Sequence, residues 1–425
     1  MINKIKRFLI KNKIILIFLV IFAVGMNLRF YKIQENLQFG WDQARDAWKT
    51  RDILMGHLVL NGPRTGIGHF NLGPLWYYLL APFYFLTNLD PMGANYFNIL
   101  INVFNFIVIF YVTRKIFDDY SALFTSLIFA TSQYLMEITR TPWNVSPIVG
   151  VSTLIFYGIY QIVYKGKYRW IPVVAFLTGF FSHLHFQVIF LPPIILLSLI
   201  LAKNKMKVFW LGLISLPLFF IWFIPSFLWN LQTKNGNFNQ FNNFLKYSLI
   251  DRFHLRFFLY RLHDSFIQFQ TVLSLPPKNY QFLQFVLPTI FFLLVLFEKN
   301  KKLKKLGYLI SLWFVVPAFM YAFYGGMTSE YYVLLNAVMV IYVLVYLQKK
   351  LLKLMFKPAL IILTVVWIFF VYHNTKNYWI KSNYGGLARQ KDDTKRTIKL
   401  KQKIKYDEGY INAYLYQIWV LDKKK

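Results

Sequence analysis

The chain has 425 residues, of which 57% are hydrophobic and 20% aromatic, and this composition indicates an integral membrane protein rather than a soluble domain. Its formal net charge of +31 does not indicate nucleic-acid binding, because the lysines form short clusters between apolar runs instead of a continuous basic surface. Cysteine is absent, which excludes disulfides and Cys-ligated metal or iron–sulfur sites.

Apolar segments along the whole chain predict membrane-spanning helices, each of which needs about 20 mostly apolar residues. The first follows a basic stretch, KIKRFLIKNK, and lacks a small-x-small cleavage site, so it is predicted to be an uncleaved signal anchor. The sequence therefore predicts an all-α integral membrane protein with about eleven transmembrane helices. These lie near residues 14–33, 93–113, 119–136, 147–164, 170–182, 187–202, 208–229, 282–297, 306–324, 331–347 and 358–374.

The distribution of Lys and Arg in the short loops predicts the orientation of these helices. If residues 72–89, which begin at Gly73-Pro74 and contain Pro82, lie in the outer interface rather than span, the main lysine clusters of the short loops fall on one side. That side is then cytoplasmic, with an internal N-terminus, an external C-terminus and an active site on the extracytoplasmic side of the plasma membrane. In the alternative, residues 72–89 span and residues 170–202 form one helix, which leaves two basic clusters outside.

One membrane domain, residues 1–374, and a short basic C-terminal tail, residues 375–425, account for the chain. Within the domain, residues 230–281 hold arginines interleaved with aromatic and aliphatic residues, which predicts a basic interfacial helix in the membrane plane. The arginines concerned are Arg252, Arg256 and Arg261. Within the tail, residues 406–421 are predicted to form a small strand pair on the outer face.

The segment at residues 39–78 combines aspartates, basic residues and histidines directly after the first span. Asp42 and Asp46 are four residues apart, so both carboxylates lie on one face of the helix predicted there. In the functional interpretation, Asp42 is a general base and Asp46 assists it. In the structural interpretation, a solvated interfacial helix pairs its aspartates with Arg45 and Lys49.

Ionisable residues at the ends of predicted spans are costly in a membrane and therefore tend to be functional. Arg140 and Asn144 open an outer loop after the third span, where an arginine is suited to bidentate phosphate binding. In a structural interpretation, Arg140 is an interfacial anchor beside Trp143. Glu330, at the outer start of a later span, either contacts a substrate or cation or is a helix N-terminal acid favoured by the dipole.

Two histidine-containing segments complete the predicted outer surface. His183 and His185 lie in a hairpin between two spans, and they predict phosphate or hydrogen-bond contacts more than metal ligation, because side chains two residues apart diverge on a helix. The segment from His69 to Phe83 combines a histidine, a Gly-Pro break and an aromatic apolar run. It predicts either the lining of a lipid groove or an interfacial helix without a chemical role.

The order of these motifs resembles the GT-C superfamily of polytopic glycosyltransferases, and within it the protein mannosyltransferase and lipid A aminoarabinose transferase branch. The matching features are Trp41-Asp42-Gln43 after the first span, the PLWYYLLAP segment, the Arg140…Asn144 loop and a later GG…EYY motif. The chain departs from the branch at two places. Asp42-Gln43 replaces a frequent Asp-Glu, and Leu72-Gly73-Pro74 replaces a frequent Lys or His before Pro-Pro.

The resemblance implies an inverting glycosyltransferase that moves a hexosyl or pentosyl group from a polyprenyl-phosphate-linked donor to an acceptor hydroxyl. Asp42 is then the catalytic base with Asp46 assisting. The residues expected at the donor phosphate are Arg64, His69, Arg140, His183 and His185. Those expected at the substrate are Trp41, Asn144, Glu330, Tyr331 and Tyr332.

Two alternatives stand beside this interpretation, a transporter or flippase for a lipid-linked sugar and a polysaccharide polymerase or ligase. Transport is less favoured, because the polar residues cluster at one face and no internal repeat is evident. No cofactor is expected; a divalent metal is compatible with the sequence, but no complete ligand set indicates one. The expected partners are the lipid-linked donor, a hydroxyl acceptor and membrane lipids, and no nucleic acid.

Overall fold

The computed structural model describes residues 2–37, 39–66, 69–233, 236–246, 258, 261, 265–274, 282–324, 329–381, 387–400 and 411–423. Within these residues the regular secondary structure is helical, and no β-strand is assigned. The predicted all-α fold class is therefore confirmed.

The helices are numbered here in chain order. Up to residue 244 they are α1 (Ile2–Phe30), α2 (Ile33–Asn36), α3 (Trp41–Leu54), α4 (Leu75–Leu86), α5 (Met92–Ile116), α6 (Asp119–Thr131), α7 (Gln133–Arg140), α8 (Ile148–Lys165), α9 (Trp170–Phe181), α10 (Leu191–Leu199), α11 (Lys205–Phe220), α12 (Ile224–Gln232) and α13 (Asn237–Phe244). Beyond it they are α14 (Gln268–Thr271), α15 (Leu283–Leu296), α16 (Lys301–Ala322), α17 (Ala337–Leu354), α18 (Phe356–Lys381), α19 (Leu387–Leu400) and α20 (Ile411–Lys423). Short 3-10 helices precede α10, α12 and α17 at Phe186–Phe190, Ile221–Phe223 and Glu330–Asn336.

Helices long and apolar enough to cross a membrane number seven in the described part of the chain. They are Asn12–Phe30, Met92–Ile116, Ile148–Lys165, Lys205–Gln232, Lys301–Ala322, Glu330–Leu354 and Phe356–Lys376. Each overlaps one of the predicted spans. Shorter apolar helices occupy Leu75–Leu86, Trp170–Phe181, Phe186–Leu199 and Leu283–Leu296. The chain is a multi-pass membrane protein.

The predicted span at residues 119–136 is divided into two helices, α6 and α7. Ser132 separates them in an extended conformation (φ −61°, ψ 117°), and its side chain accepts a hydrogen bond from the Leu135 amide as the N-cap of α7. Serine is a preferred N-cap residue because its oxygen satisfies a free N–H of the new helix. One serine in an apolar run therefore ends one helix and begins the next.

Three further sequence predictions have different outcomes. The first concerns residues 72–89, which were predicted not to span the membrane. Helix α4, within this segment, has 12 residues, about 18 Å at 1.5 Å per residue, and is too short to cross a hydrocarbon core of about 30 Å. The prediction of a strand pair in the tail is wrong for residues 411–421, which belong to α20. Arg252 and Arg256 lie outside the described residues, whereas Arg261 is buried.

Fully buried asparagines lie along one face of α5, at Asn95, Asn98, Asn102 and Asn105. The amides of Asn98 and Asn102 both donate to the carbonyl of Thr139, at 2.9 and 2.8 Å. Asn105 donates to the carbonyl of Ser146 at 3.0 Å. Because a membrane interior offers no water to backbone groups, these amides satisfy carbonyls at the end of α7 and in the irregular segment that follows it.

Arg29, near the end of α1, is 1% exposed. Its guanidinium donates to the carbonyls of Phe129 (2.6 Å) and Ala130 (3.1 Å) in the last turn of α6, and its Nε donates to Thr139 Oγ1 (2.9 Å). A cation at these carbonyls complements the negative end of the α6 dipole. Arg29 therefore joins α1, α6 and α7 at one depth.

Candidate active site

Helix α3 begins one residue before Asp42, directly after a glycine. Gln43 Oε1 accepts a hydrogen bond from the Gly40 amide at 3.0 Å, as a residue of a helix N-terminus reaching back to its cap does. Gln43 is buried, so its side chain serves the helix start rather than a cavity. Gln43 therefore stabilises the start of α3, and this role does not require a carboxylate at position 43.

Arg45 binds both Asp42 and Asp46 of α3. Its Nη1 donates to Asp42 Oδ1 at 2.6 Å, while Nε and Nη2 donate to Asp46 Oδ1 at 2.9 and 2.7 Å. The second oxygen of Asp46 accepts a hydrogen bond from Trp76 Nε1 at 2.7 Å. The pairing with Arg45 that the structural interpretation predicted is present, but it is unequal, because most of the arginine's bonds go to Asp46.

The two carboxylates differ in their environment. The Asp42 side chain is 43% exposed and that of Asp46 only 2%. Burial raises the pKa of Asp46 to about 6, and the hydrogen bonds from Arg45 and Trp76 oppose that rise. Of these two carboxylates, the solvent-accessible one is therefore that of Asp42.

A cavity of about 510 Å³ lies beside Asp42, and we call it the polar cavity. The predicted site residues that line it are Trp41, Asp42, Arg64, Asn144, His185, Tyr331 and Tyr332. Further polar residues in the lining are Arg45, Lys49, Thr65 and Asn412. The polar cavity is thus formed by parts of the chain that are distant in sequence: helix α3, three loops, the 3-10 helix at Glu330–Asn336 and α20.

The remaining predicted site residues do not line the polar cavity. Asp46 lies behind Asp42, and Arg140 Nη2 donates to the carbonyl of Asn36 at 2.8 Å. His69 has a left-handed backbone (φ 57°), and its carbonyl accepts a hydrogen bond from Arg64 Nε at 3.0 Å. Glu330 is exposed. These residues support the cavity lining or lie beside it.

His183 and His185 have separate environments, as their predicted divergence requires. His183 Nδ1 accepts a hydrogen bond from the Leu75 amide at 3.2 Å, and Nε2 lies 2.6 Å from the carbonyl of Trp222, so the ring joins α4 to the segment before α12. His185 faces the polar cavity with its ring centroid 5.9 Å from that of Tyr331. Burial lowers the pKa of His185 to about 3, which keeps the imidazole neutral.

Gln187 and Asn144 hold the walls of the polar cavity together. Gln187 is fully buried, donates to the Tyr331 carbonyl at 2.8 Å and accepts from the Leu335 amide at 2.9 Å. Asn144 donates to the carbonyl of Leu184 at 2.5 Å.

No group of three or more potential metal ligands occurs among the described residues.

A second cavity, of about 440 Å³, adjoins the first, and we call it the apolar cavity. Both cavities are lined in part by Leu72 and Phe186. The remaining lining is mainly aromatic and aliphatic, including Phe70, Phe190, Phe219, Phe223, Phe241, Phe244 and Tyr324. Because two residues belong to both linings, the polar and the apolar cavity are direct neighbours.

Sequence reasoning did not assign the cations Arg45 and Lys49 to the cavity itself. With Asp42 they recur at intervals of three and four residues, and this spacing places them on one helical face. No sequence pattern identified Asn412 as a site residue, because only the folded position of the tail brings it to the polar cavity. Gln187 was missed because a glutamine in an apolar stretch does not reveal its partners.

Comparison with known proteins supports the fold assignment. No curated protein matches the chain. The family "Dolichyl-phosphate-mannose-protein mannosyltransferase" matches at residues 71–229, less than half of the chain. ArnT from Cupriavidus metallidurans, solved with undecaprenyl phosphate, superposes with a TM-score of 0.57 at 12% identity over 95% of this chain and 68% of its own. The chain has the GT-C fold.

A second structure agrees with the GT-C assignment. The oligosaccharyltransferase AglB from Archaeoglobus fulgidus, solved with an inhibitory peptide and dolichol-phosphate, has a TM-score of 0.53 at 11% identity. The match covers 96% of this chain but 60% of AglB, so the chain spans only part of that protein's length. The resemblance predicted from the sequence is confirmed.

Proposed function

We propose that this protein is a membrane glycosyltransferase that transfers a sugar from a polyprenyl-phosphate-linked donor to an acceptor hydroxyl, with inversion, at the non-cytoplasmic membrane face. The observation that carries the proposal is the position of Asp42 in a polar cavity that adjoins an apolar one. A lipid-linked sugar has this division into a polar head and an apolar chain. The undecaprenyl phosphate and dolichol-phosphate bound to the two GT-C relatives support the same donor class.

Asp42 is the proposed general base. In the reaction, the acceptor oxygen attacks the anomeric carbon, the bond from that carbon to the phosphate oxygen breaks, and Asp42 takes the acceptor proton. The hydrogen bond from Arg45 Nη1 to Asp42 Oδ1, at 2.6 Å, orients the Asp42 carboxylate, and the carboxylate of Asp46 offsets most of the positive charge of Arg45. Asp42 is then oriented without losing its basicity to a one-to-one ion pair.

Lys49 and Arg64 are the proposed contacts of the donor phosphate, because both line the polar cavity. Polyprenyl phosphate leaves with negative charge, and cations in a partly enclosed site stabilise that charge as it develops. His185, neutral by burial, would donate or accept a hydrogen bond there. Arg140, His69 and His183 are assigned supporting roles, and a resident metal is not part of the proposal.

The test replaces Asp42 by Asn in proteoliposomes supplied with a panel of undecaprenyl-phosphate-linked hexoses and pentoses. We expect the transfer rate to fall by about 10²- to 10⁴-fold, the usual contribution of a general base. Asp52→Asn is the matched control, since Asp52 lies on the same helix, pairs with Arg51 at 2.6 Å and does not line the polar cavity.

Wild-type turnover in a folded Asp42→Asn variant would contradict the assignment of the base. Movement of an intact lipid-linked sugar across the vesicle membrane, without a new glycosidic bond, would favour transport instead of transfer.

A further inference from the structure

The C-terminal cap, defined as α19 and α20, is fixed to the part of the chain that carries Asp42. The Leu387 amide donates to the carbonyl of Leu37 at 2.9 Å, directly before α3. Lys391 Nζ forms an ion pair with Asp90 Oδ2 at 2.7 Å, before the start of α5. Backbone and charged contacts at both places hold α19 in one position.

Aromatic side chains fasten α20 to α3. Tyr416 is fully buried with its ring centroid 5.1 Å from that of Trp48, and its hydroxyl donates to the carbonyl of Leu89 at 3.0 Å. The Arg51 guanidinium lies over the rings of both Trp48 and Trp419, at 4.5 and 5.1 Å. Such cation–π contacts and a buried tyrosine favour one fixed orientation of α20.

This orientation brings Asn412, in the first turn of α20, into the lining of the polar cavity. Asn412 is half-buried, and its planar amide offers two donors and one acceptor. Trp41 and Trp48 of α3 belong to the same lining, and Trp41 is 56% exposed. One side of the cavity is therefore made of indole rings and an amide.

We propose that the C-terminal cap forms the acceptor wall of the site, and that Asn412 hydrogen-bonds a saccharide acceptor whose ring packs on the indoles. This rests on the proposed function. Planar amides match the paired hydroxyls of a sugar, and aromatic faces cover its C–H surface, so a few polar groups among aromatic rings give both orientation and contact area. The apolar cavity serves the lipid of the donor, on the side of Leu72 and Phe186.

The first test compares Asn412→Ala with Leu415→Ala, a change on the same helix at a side chain that is 46% exposed and does not line the polar cavity. The acceptor probes are octyl glycosides of several hexoses and, separately, a Ser/Thr-containing peptide. In Asn412→Ala the KM for the octyl glycoside is expected to rise by roughly 2- to 10-fold, as for the loss of one neutral hydrogen bond, with the donor KM unchanged. Asn412→Gln should recover part of the loss.

A second test does not need catalysis. Because the chain has no cysteine, Asn412→Cys introduces a single thiol whose reaction with a maleimide can be followed. Octyl glycosides are expected to slow this reaction, and they should leave the labelling of Leu415→Cys unchanged. Protection by the peptide but not by the glycosides would overturn the saccharide assignment.

Failure of this inference and failure of the proposed function are distinguishable. If Asp42→Asn abolishes transfer while Asn412→Ala keeps the wild-type acceptor KM and the glycosides give no protection, the acceptor wall is wrong and the base assignment stands. If the glycosides protect Asn412→Cys while Asp42→Asn keeps full activity, the acceptor wall stands and the base assignment is wrong.

Discussion

Arg45 sets the properties of Asp42 and Asp46 by dividing its hydrogen bonds unequally between them. Two of its nitrogens bind Asp46, which is buried and also bound by Trp76, and one binds Asp42. When Asp46 is ionised, the positive charge of Arg45 is offset within the protein, and Asp42 keeps its basicity. When Asp46 is neutral, Arg45 acts on Asp42 alone, and a carboxylate in a one-to-one ion pair is a weaker base.

The transfer rate is therefore expected to depend on the protonation of Asp46. Burial raises the pKa of this carboxyl to about 6, so it binds a proton as the pH falls through 6, and the rate should fall with it. In Asp46→Asn, which imitates the protonated state, the acid limb near pH 6 should be missing and the rate at pH 7 reduced by about ten-fold, equivalent to about 1.4 kcal/mol of activation free energy.

The measurement is a pH–rate profile for wild type, Asp46→Asn and the control Asp52→Asn. An acid limb near pH 6 that persists in Asp46→Asn would assign that titration to another group.

Among the elements, α5 and the irregular segment after α7 depend on one another. Asn98 donates to the carbonyls of Thr139 and Arg140, the last two residues of α7, from which the irregular segment leads to Asn144 of the polar cavity. A buried carbonyl left without a donor costs about 1–3 kcal/mol. The asparagine face of α5 therefore supports the site from inside the helix bundle.

We expect Asn98→Leu to lower the free energy of unfolding by about 1–3 kcal/mol, because the carbonyl of Arg140 loses this donor within a membrane, whereas that of Thr139 keeps the amide of Asn102. Asn95→Leu is the matched control on the same face, since the amide of Asn95 contacts only Met92 Sδ, at 3.7 Å, among its described hydrogen bonds. Unfolding in detergent with added denaturant measures both. Equal losses in the two variants would contradict the role given to Asn98.

The sequence revealed the long helices and part of the site, for physical reasons that particular residues illustrate. Apolar runs require no knowledge of neighbours, so the seven long helices were predicted directly. Ser132 divides α6 from α7 by capping the second helix. A single serine barely changes the mean hydropathy of the apolar segment around it, so the sequence predicted one helix there. Spacing placed Asp42 and Asp46 on one face of α3 but did not reveal that only Asp42 reaches the cavity, which depends on the packing of Trp76. Asn412 is further removed, because a tertiary contact brings it to the site from the tail.

At the scale of the whole molecule, the lysine clusters define one end of the helix bundle. Glu298 accepts a hydrogen bond from the Asn300 amide at 2.9 Å, and Lys350 is its ion-pair partner. Lys305 Nζ donates to the carbonyls of Val163 and Leu201, at 3.0 and 2.8 Å. Basic residues that bind helix ends in this way stabilise the bundle, and the positive-inside rule predicts that this end is cytoplasmic.

This orientation is testable because the chain has no cysteine of its own. Leu58→Cys, at a side chain 74% exposed beyond α3, is expected to react with a membrane-impermeant maleimide in intact cells. Leu354→Cys, 79% exposed among the lysines at the end of α17, should react only after permeabilisation. Labelling of both from the same side, or in the reverse order, would contradict the proposed extracytoplasmic site.

The buried guanidinium of Arg29 has a consequence for the depth in the bilayer at which Asp42, the proposed base, lies. Because its donors are fixed to the end of α6 and to α7, the first helix cannot slide along the bilayer normal without breaking these bonds. Asp42 follows Arg29 by 13 residues, so its height above the hydrocarbon is set from that point. A lipid phosphate stays at the level of the headgroups and moves mainly sideways, so a fixed depth of Asp42 is what the proposed lipid-linked donor requires.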